Sequence, residues 1–258
     1  MVIHDCAPFQ EPSWYGRTYR TWHRALLPRL ARRSRLVIAP SEHVRSELAG
    51  LFGLSMDRVV AIAPGVDPSF ARAGDPAPLL RRLGLERPYV LALGTDSPRK
   101  NLRLLDTLAP ELEAAGLGVV VAGSSRPYLP APTGATRARR LGYVADEDLP
   151  ELYAGAAAFA MPSLYEGFGL PCLEAMAAGT PVVAADRAAL PEACGGAALL
   201  ADPGDPDAFA AALLGAAGPE RERLVAAGRE RAAELTWQRT AGAVDRVVGA
   251  LLASGRRR

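Results

Sequence analysis

The sequence contains no apolar run approaching the roughly 20 residues that a helical membrane span requires, and its first residues do not read as a secretory leader. Cysteine is scarce. Cys6, Cys172 and Cys194 show no Cys-x-x-Cys spacing and leave an odd count, which argues against a disulfide scaffold and fits a reducing compartment, so the cytoplasm is the expected location. Charge of one sign is not in excess either. The formal net charge is +2, and the basic residues are spread along the chain apart from a cluster near the start, so no nucleic-acid partner is expected. What is present is an ordinary α/β composition. With 258 residues, 49% hydrophobic and 22% charged, the chain can bury a substantial core and is too apolar for disorder.

Met1 to Asp5 reads as a short strand ending in a polar loop, which is an unusual place for a domain to begin and leads us to expect a missing N-terminal region. From Gly16 to Arg35, Tyr19, Trp22, Leu26, Leu27 and Leu30 recur at helical spacing with arginines at 17, 20, 24, 29, 32, 33 and 35 on the other faces, predicting a basic amphipathic helix interrupted at Pro28. Two readings of it stay open. The plainer is a packed helix with a solvated arginine face; the other is a surface that sits against anionic lipid. Leu36–Pro40 predicts a short buried strand, Ser41 caps a helix over Glu42–Leu48, and Val59–Ile62 predicts a second strand. The turn-dense Pro64–Pro68 then reads as an interdomain linker.

From Tyr89 onward, continuous apolar strands alternate with helices. Strands are predicted at Tyr89–Gly94, Leu117–Ala122, Phe159–Met161, Pro181–Ala184 and Ala198–Leu200, with a helix near Leu102–Ala115 and a long one after Asp205. That pattern means a doubly wound, Rossmann-like parallel sheet covered on both faces. Ligands of such sheets bind outside the carboxyl ends of the strands, so the following loops should carry the chemistry.

The most informative loop runs Pro162-Ser163-Leu164-Tyr165-Glu166-Gly167-Phe168-Gly169-Leu170-Pro171-Cys172-Leu173-Glu174 and leads into Ala175-Met176-Ala177-Ala178-Gly179-Thr180-Pro181-Val182-Val183. Gly167 and Gly169 allow backbone to approach a ligand closely. Pro171 suits a first helical turn, and the helix starting there aims free N–H groups at the loop, which makes an anion site. Glu166 and Glu174 flank it, although carboxylates repel phosphate. Side chains on a helix lean toward its N-terminus, so Glu174 can reach back to the pocket of Glu166. A ligand with a diphosphate in its middle and sugar hydroxyls at both ends satisfies the helix terminus and both carboxylates together. A sugar nucleotide is such a ligand.

This arrangement, a glutamate, seven residues and a second glutamate, resembles the signature of the GT-B glycosyltransferases of family 4, which are retaining enzymes. The resemblance extends over Gly94-Thr95-x-x-Pro98-Arg99-Lys100-Asn101, Gly142-Tyr143-Val144 and Pro64-Gly65-Val66-Asp67, and so covers nearly the whole chain. It implies a GT-B fold whose donor-binding Rossmann-like domain spans 67–235. Residues 1–66 are then a remnant of a second, acceptor-binding Rossmann-like domain plus the linker, and 236–258 a C-terminal crossover helix. About 90–110 residues would be missing, comparable with one domain, and most of the acceptor site with them. By similarity, Glu166 holds hydroxyls of the transferred sugar, Glu174 contacts the ribose, and backbone at Gly167, Phe168, Gly169 and Leu170 meets phosphate. Arg99 and Lys100 neutralise the diphosphate; in many relatives the arginine sits closer to the strand end, where this chain has Thr95. Gly94, Tyr143 and Val144 complete the donor loops, and His4 matches a histidine that faces the donor sugar.

The implied reaction moves a hexose, with mannose as the first guess, from a nucleoside diphosphate to a hydroxyl of a glycan or lipid-linked acceptor. Retention in the family is attributed to front-face attack, with the leaving phosphate helping to take the acceptor proton. Neither a nucleophile near the motif nor an Asp-x-Asp pair at a strand end is found; Asp186 and Asp202–Asp205 read as turn and cap residues. No metal cofactor is therefore expected, with the helix N-terminus and cations in its place and the sugar nucleotide as co-substrate. A non-catalytic sugar-nucleotide-binding fragment is the alternative. A dinucleotide oxidoreductase is disfavoured, because Gly94-Thr95-Asp96-Ser97-Pro98-Arg99 does not fit Gly-x-Gly-x-x-Gly.

Overall fold

The computed structural model describes residues 1–85, 88–123 and 136–255. Strands β1 (Val37–Ala39) and β2 (Val59–Ala61) form a small parallel sheet. Six further strands form a second one: β3 (Tyr89–Leu93), β4 (Gly118–Ala122), β5 (Arg139–Gly142), β6 (Ala158–Met161), β7 (Val182–Ala185) and β8 (Leu199–Ala201). Its order is β5-β4-β3-β6-β7-β8, parallel throughout. The chain enters at central β3, runs outward to β5, then returns to lay β6 against the other side of β3. That reversal leaves a crevice between the carboxyl ends of β3 and β6, the topological switch point of an open α/β sheet.

Alternation along the strands explains why both faces are covered. Tyr89, Leu91, Val120, Phe159, Met161 and Val182 enter one core, and Val90, Ala92, Val119, Val121, Ala158 and Val183 the other. On the second face lie α5 (Arg103–Ala114) and α9 (Pro206–Ala217). On the first lie α6 (Leu149–Ala154), α7 (Leu170–Ala177) and α8 (Leu190–Cys194), supplying Tyr153, Leu173 and Leu190, with α10 (Arg221–Glu234) packed against α7; α1 (Ala7–Gln10) and α4 (Ala77–Leu83) are short. The edge strand β5 was not among the predicted strands. Its residues, Arg139-Arg140-Leu141-Gly142, have no apolar run, because an edge strand need not be buried on both sides.

The N-terminal part differs from the sequence reading in two places. Met1 to Asp5 contributes only a single bridge, Val2 to Ile38, held by Ile3 N–H to the Ile38 carbonyl at 3.0 Å. The basic helix α2 (Arg17–Arg33) is not interrupted: Pro28 lies inside it. A proline there removes one N–H, and flanking turns carry the helix across. Its apolar residues are also less packed than expected, since Ala31 is buried whereas Tyr19, Trp22 and Leu30 are exposed. Helix α3 (Glu42–Phe52), capped by Ser41 Oγ accepting the Val44 N–H at 3.1 Å, packs Val44, Leu48 and Phe52 under the small sheet.

Among the connections that tie this part to the large sheet, the first follows the linker. Past the turn at Pro64, Val66 N–H donates to the Leu235 carbonyl at 2.9 Å, and Thr240 Oγ1 to the Ala63 carbonyl at 2.8 Å. The long α11 (Trp237–Gly255) returns along the N-terminal residues, where Arg35 donates to the Leu251 carbonyl at 3.1 Å. The N-terminus of α3 is the second junction, with Glu192 of α8 accepting from Glu42 N–H (2.8 Å) and His43 N–H (3.1 Å). The third is Tyr165, whose ring lies in the N-terminal core although its backbone belongs to the loop after β6. The Tyr165 hydroxyl accepts the Cys6 N–H at 3.0 Å and donates to Glu47 at 2.5 Å.

A Tyr165→Phe substitution keeps that ring buried and strips partners from a buried N–H and a carboxylate. The expected cost is about 1–3 kcal/mol, read as a lower urea midpoint. An unchanged midpoint would show that the peg contributes packing alone.

Candidate functional site

The loops after β3 and β6 meet at the switch point, and the sequence dictates how. After β3 the chain turns through Thr95 and Ser97 into a short 3₁₀ turn, Pro98–Lys100, that ends on Asn101 in the left-handed region (φ 50°), a conformation asparagine tolerates better than most residues. That turn sends Arg99 and Lys100 toward the crevice. The Lys100 stem crosses Gly94, where a Cβ would sit 3.3 Å from it. Backbone joins the two loops, Leu164 N–H donating to the Arg99 carbonyl at 2.8 Å and Arg99 Nη1 to the Tyr165 carbonyl at 2.9 Å.

Glu166 is where the loops converge. Its carboxylate lies 3.0 Å from Arg99 Nη1 and 2.8 Å from Lys100 Nζ, with all three side chains largely buried. Burial alone would push the Glu166 carboxyl up, yet Lys100 and then Arg99 outweigh it and hold the group below its ordinary value. The same pairing keeps the Arg99 guanidinium above its ordinary value despite its own desolvation. Tyr15, reaching in from the N-terminal part, is pushed up to about 12 by burial, with Arg99 pulling the other way.

Glu166 and Glu174 differ in their direct contacts. Glu174, on the second turn of α7, accepts a hydrogen bond at 2.8 Å from the hydroxyl of Tyr153, a fully buried residue of α6. Burial pushes the Glu174 carboxyl above its ordinary value and Asp146 adds to this, against the Tyr153 bond and Lys100. Lys100 thus acts electrostatically on both glutamates. Between them runs Gly167-Phe168-Gly169-Leu170. Gly169, at φ 124°, is the N-cap of α7 and takes a backbone conformation that side chains disfavour. At Gly167 a Cβ would fall 2.0 Å from the His4 carbonyl oxygen, so only glycine allows the N-terminal segment to lie against this loop. Phe168 is buried in the core and Leu170 packs against it.

The remaining predicted residues lie at the rim. Thr95 is half-buried beside the 3₁₀ turn. Tyr143, 73% exposed, and half-buried Val144 follow β5. The His4 side chain is exposed, and its backbone abuts Gly167. Sequence reasoning missed Tyr153 and the residues that hold the Glu166 loop from the N-terminal side: Ser41, whose Oγ donates to the Gly167 carbonyl at 2.8 Å, Glu47 and Tyr165. Tyr165 stood beside Glu166 in the motif and Ser41 was read as a cap. Nothing local in the sequence pointed to Tyr153.

Chemically, the crevice offers two buried cations, the N-terminus of α7, and two carboxylates able to accept hydroxyl donors on either side of it. Two family profiles match the chain. "Glycosyl transferases group 1" covers residues 87–217 and "Glycosyltransferase Family 4" residues 1–70. Among curated proteins the chain is similar to O-antigen chain mannosyltransferase B of Escherichia coli, with 35% identity over 92% of this chain and 66% of that protein. It is also similar to D-inositol 3-phosphate glycosyltransferase of Frankia alni, with 37% identity over 81% of this chain and 57% of that one. The chain thus spans somewhat over half to about two thirds of the length of these relatives. Among solved structures it superposes on Anabaena HepE in complex with UDP and glucose, with a TM-score of 0.79, 20% identity, and 96% of this chain and 71% of that one covered. Sucrose-phosphate synthase from Thermosynechococcus elongatus gives a TM-score of 0.75, 24% identity, and 95% and 64% coverage. The fold is the GT-B fold, and the chain belongs to the group 1 glycosyltransferases of family 4.

Proposed function

We propose that this chain binds a nucleoside diphosphate hexose and that the whole protein transfers the hexose, with retention, to a hydroxyl of a glycan or lipid-linked acceptor in cell-envelope glycan biosynthesis. The observation that carries this reading is the cluster of Arg99, Lys100 and Glu166 at the switch point, with the N-terminus of α7 and Glu174 alongside. Arg99 and Lys100 bind the diphosphate and stabilise the charge that develops on it as the glycosidic bond breaks. N–H groups from Gly167 to Leu170 meet its oxygens. Glu166 accepts hydroxyls of the transferred sugar and Glu174 those of the ribose. Gly94, Thr95, Tyr143 and Val144 border the nucleotide, and His4 faces the sugar. In front-face attack the acceptor oxygen bonds to the anomeric carbon on the side the diphosphate leaves, and a departing phosphate oxygen takes the acceptor proton. These groups are proposed to need no metal ion.

Mannose is the preferred hexose, supported by relatives named as mannosyltransferases from Escherichia coli and Mycolicibacterium hassiacum. We place the protein in the cytoplasm. Among the described residues no helix is long and apolar enough to cross a membrane. Exposed Tyr19, Trp22 and Leu30 among the arginines of α2 support peripheral contact with an anionic leaflet.

Calorimetric titration without added metal tests the donor reading. GDP-mannose is expected to bind more tightly than UDP-glucose or UDP-N-acetylglucosamine, and Glu174→Ala to weaken it roughly 10- to 100-fold. Failure of all three donors to bind would reject the reading, whereas donor binding without transfer by a full-length homologue would leave a binding module. Tyr153→Phe removes a hydrogen bond that stabilises the ionised Glu174, so its carboxyl rises further. Donor affinity should fall as pH drops through the Glu174 titration, and in the variant that fall should begin at higher pH; superimposable profiles would detach Glu174 from ribose binding. Vesicles containing anionic lipid are expected to sediment the chain, with Trp22→Ala reducing the bound fraction several-fold; equal binding to neutral vesicles would remove the arginine face from the account.

A further inference from the structure

Arg99 and Lys100 are the cations that the donor's diphosphate uses in the reading above, and in the structure both hold Glu166, at 3.0 and 2.8 Å. Other donors of both groups stay available, but a diphosphate that draws the two cations onto itself loosens that grip. The carboxylate then has few places to go. Glu166 is 9% exposed, so water reaches it poorly. Its backbone is pinned on both sides. The Tyr165 ring is seated in the N-terminal core with its carbonyl bonded to Arg99, and the Gly167 carbonyl accepts from Ser41 at 2.8 Å. The Glu166 carbonyl in turn accepts the Ala189 N–H at 3.4 Å. The loop therefore holds the carboxylate away from solvent, and a buried carboxylate left with Ser163 in place of two cations is costly.

Hydroxyl groups are the donors that relieve this cost, and the hexose of an intact donor supplies them beside the diphosphate, whereas a nucleoside diphosphate carries none there. On this basis, which rests on the donor-binding reading, we infer that Glu166 sets the discrimination between substrate and product. It competes with the diphosphate for Arg99 and Lys100, and only a ligand bringing sugar hydroxyls compensates it. A site that leaves a buried polar group unpaired rejects the ligand lacking the matching hydroxyl, which is the asymmetry at work here. The consequence is weak retention of the nucleoside diphosphate once the hexose has left it. Glu166 is then more than a sugar contact, because its charge also lowers the affinity of the site for its own product.

Calorimetry on the whole chain decides it, with GDP and GDP-mannose, and UDP and UDP-glucose, titrated into the wild type and into Glu166→Gln. The amide no longer competes as an anion, so the variant should bind the nucleoside diphosphate about tenfold more tightly and the sugar nucleotide more weakly, collapsing or inverting the wild-type preference. A loss for both ligands in equal proportion overturns the inference, and so does an unchanged nucleoside diphosphate affinity, while in either case binding by the wild type leaves the donor-binding reading standing. A second measurement needs no variant. Free mannose added with GDP, or glucose with UDP, should tighten nucleotide binding to the wild type several-fold by covering Glu166; independent binding of the two overturns the inference as well. A wild type that binds no nucleotide rejects the underlying donor reading, and this inference falls with it.

Discussion

The fold converges on one cluster of charge, Glu166 between Arg99 and Lys100 at the carboxyl ends of β3 and β6. Burying three ionised groups is expensive, and such clusters stabilise a protein less than apolar packing of the same volume does. What the cluster achieves is registration. It ties the first strand loop of the large sheet to the fourth at the point where the chain reverses direction, and it gathers positive charge in a crevice whose low dielectric strengthens it.

The cluster depends in turn on the N-terminal part, which acts as a wall behind the Glu166 loop. Tyr165 enters its core, Ser41 and the His4 backbone meet Gly167, and Glu192 closes the N-terminus of α3 from the other direction. Side chains that hold the loop therefore come from a different part of the molecule than the groups it presents. The position of the Glu166 carboxylate is therefore set by how the N-terminal part docks against the large sheet.

Glu174 makes a contrast in how the two carboxylates are managed. Glu166 is kept charged by cations, while Glu174 is raised by burial and by Asp146, with the Tyr153 hydrogen bond and the more distant pull of Lys100 offsetting this only in part. Two glutamates eight positions apart in the chain thus have opposite shifts, a difference that arises from their neighbours and not from the motif itself. One is held ionised between two cations, and the other has fewer charges nearby.

Much of this was legible in the amino-acid sequence. Apolar runs at Tyr89–Gly94, Leu117–Ala122 and Phe159–Met161, too short for buried helices and alternating with helical segments, specify strands covered on both faces. The helix after Gly169 and the family membership follow from one loop, because Gly167, Gly169 and Pro171 leave little backbone choice. Edge strand β5 was hidden by its arginines, and α2 runs through Pro28 because flanking turns outweigh one lost hydrogen bond. Only the tertiary structure decided which groups meet. The pairing of Glu166 with Arg99 and Lys100, the separation of Glu174 onto Tyr153, and the seating of Tyr165 in the N-terminal core, 118 residues along the chain from the Glu47 it bonds, all depend on strand order, which places β6 beside β3. Local sequence sets backbone conformation through short-range sterics and hydrogen bonding, whereas long-range contacts are set by packing the whole sheet.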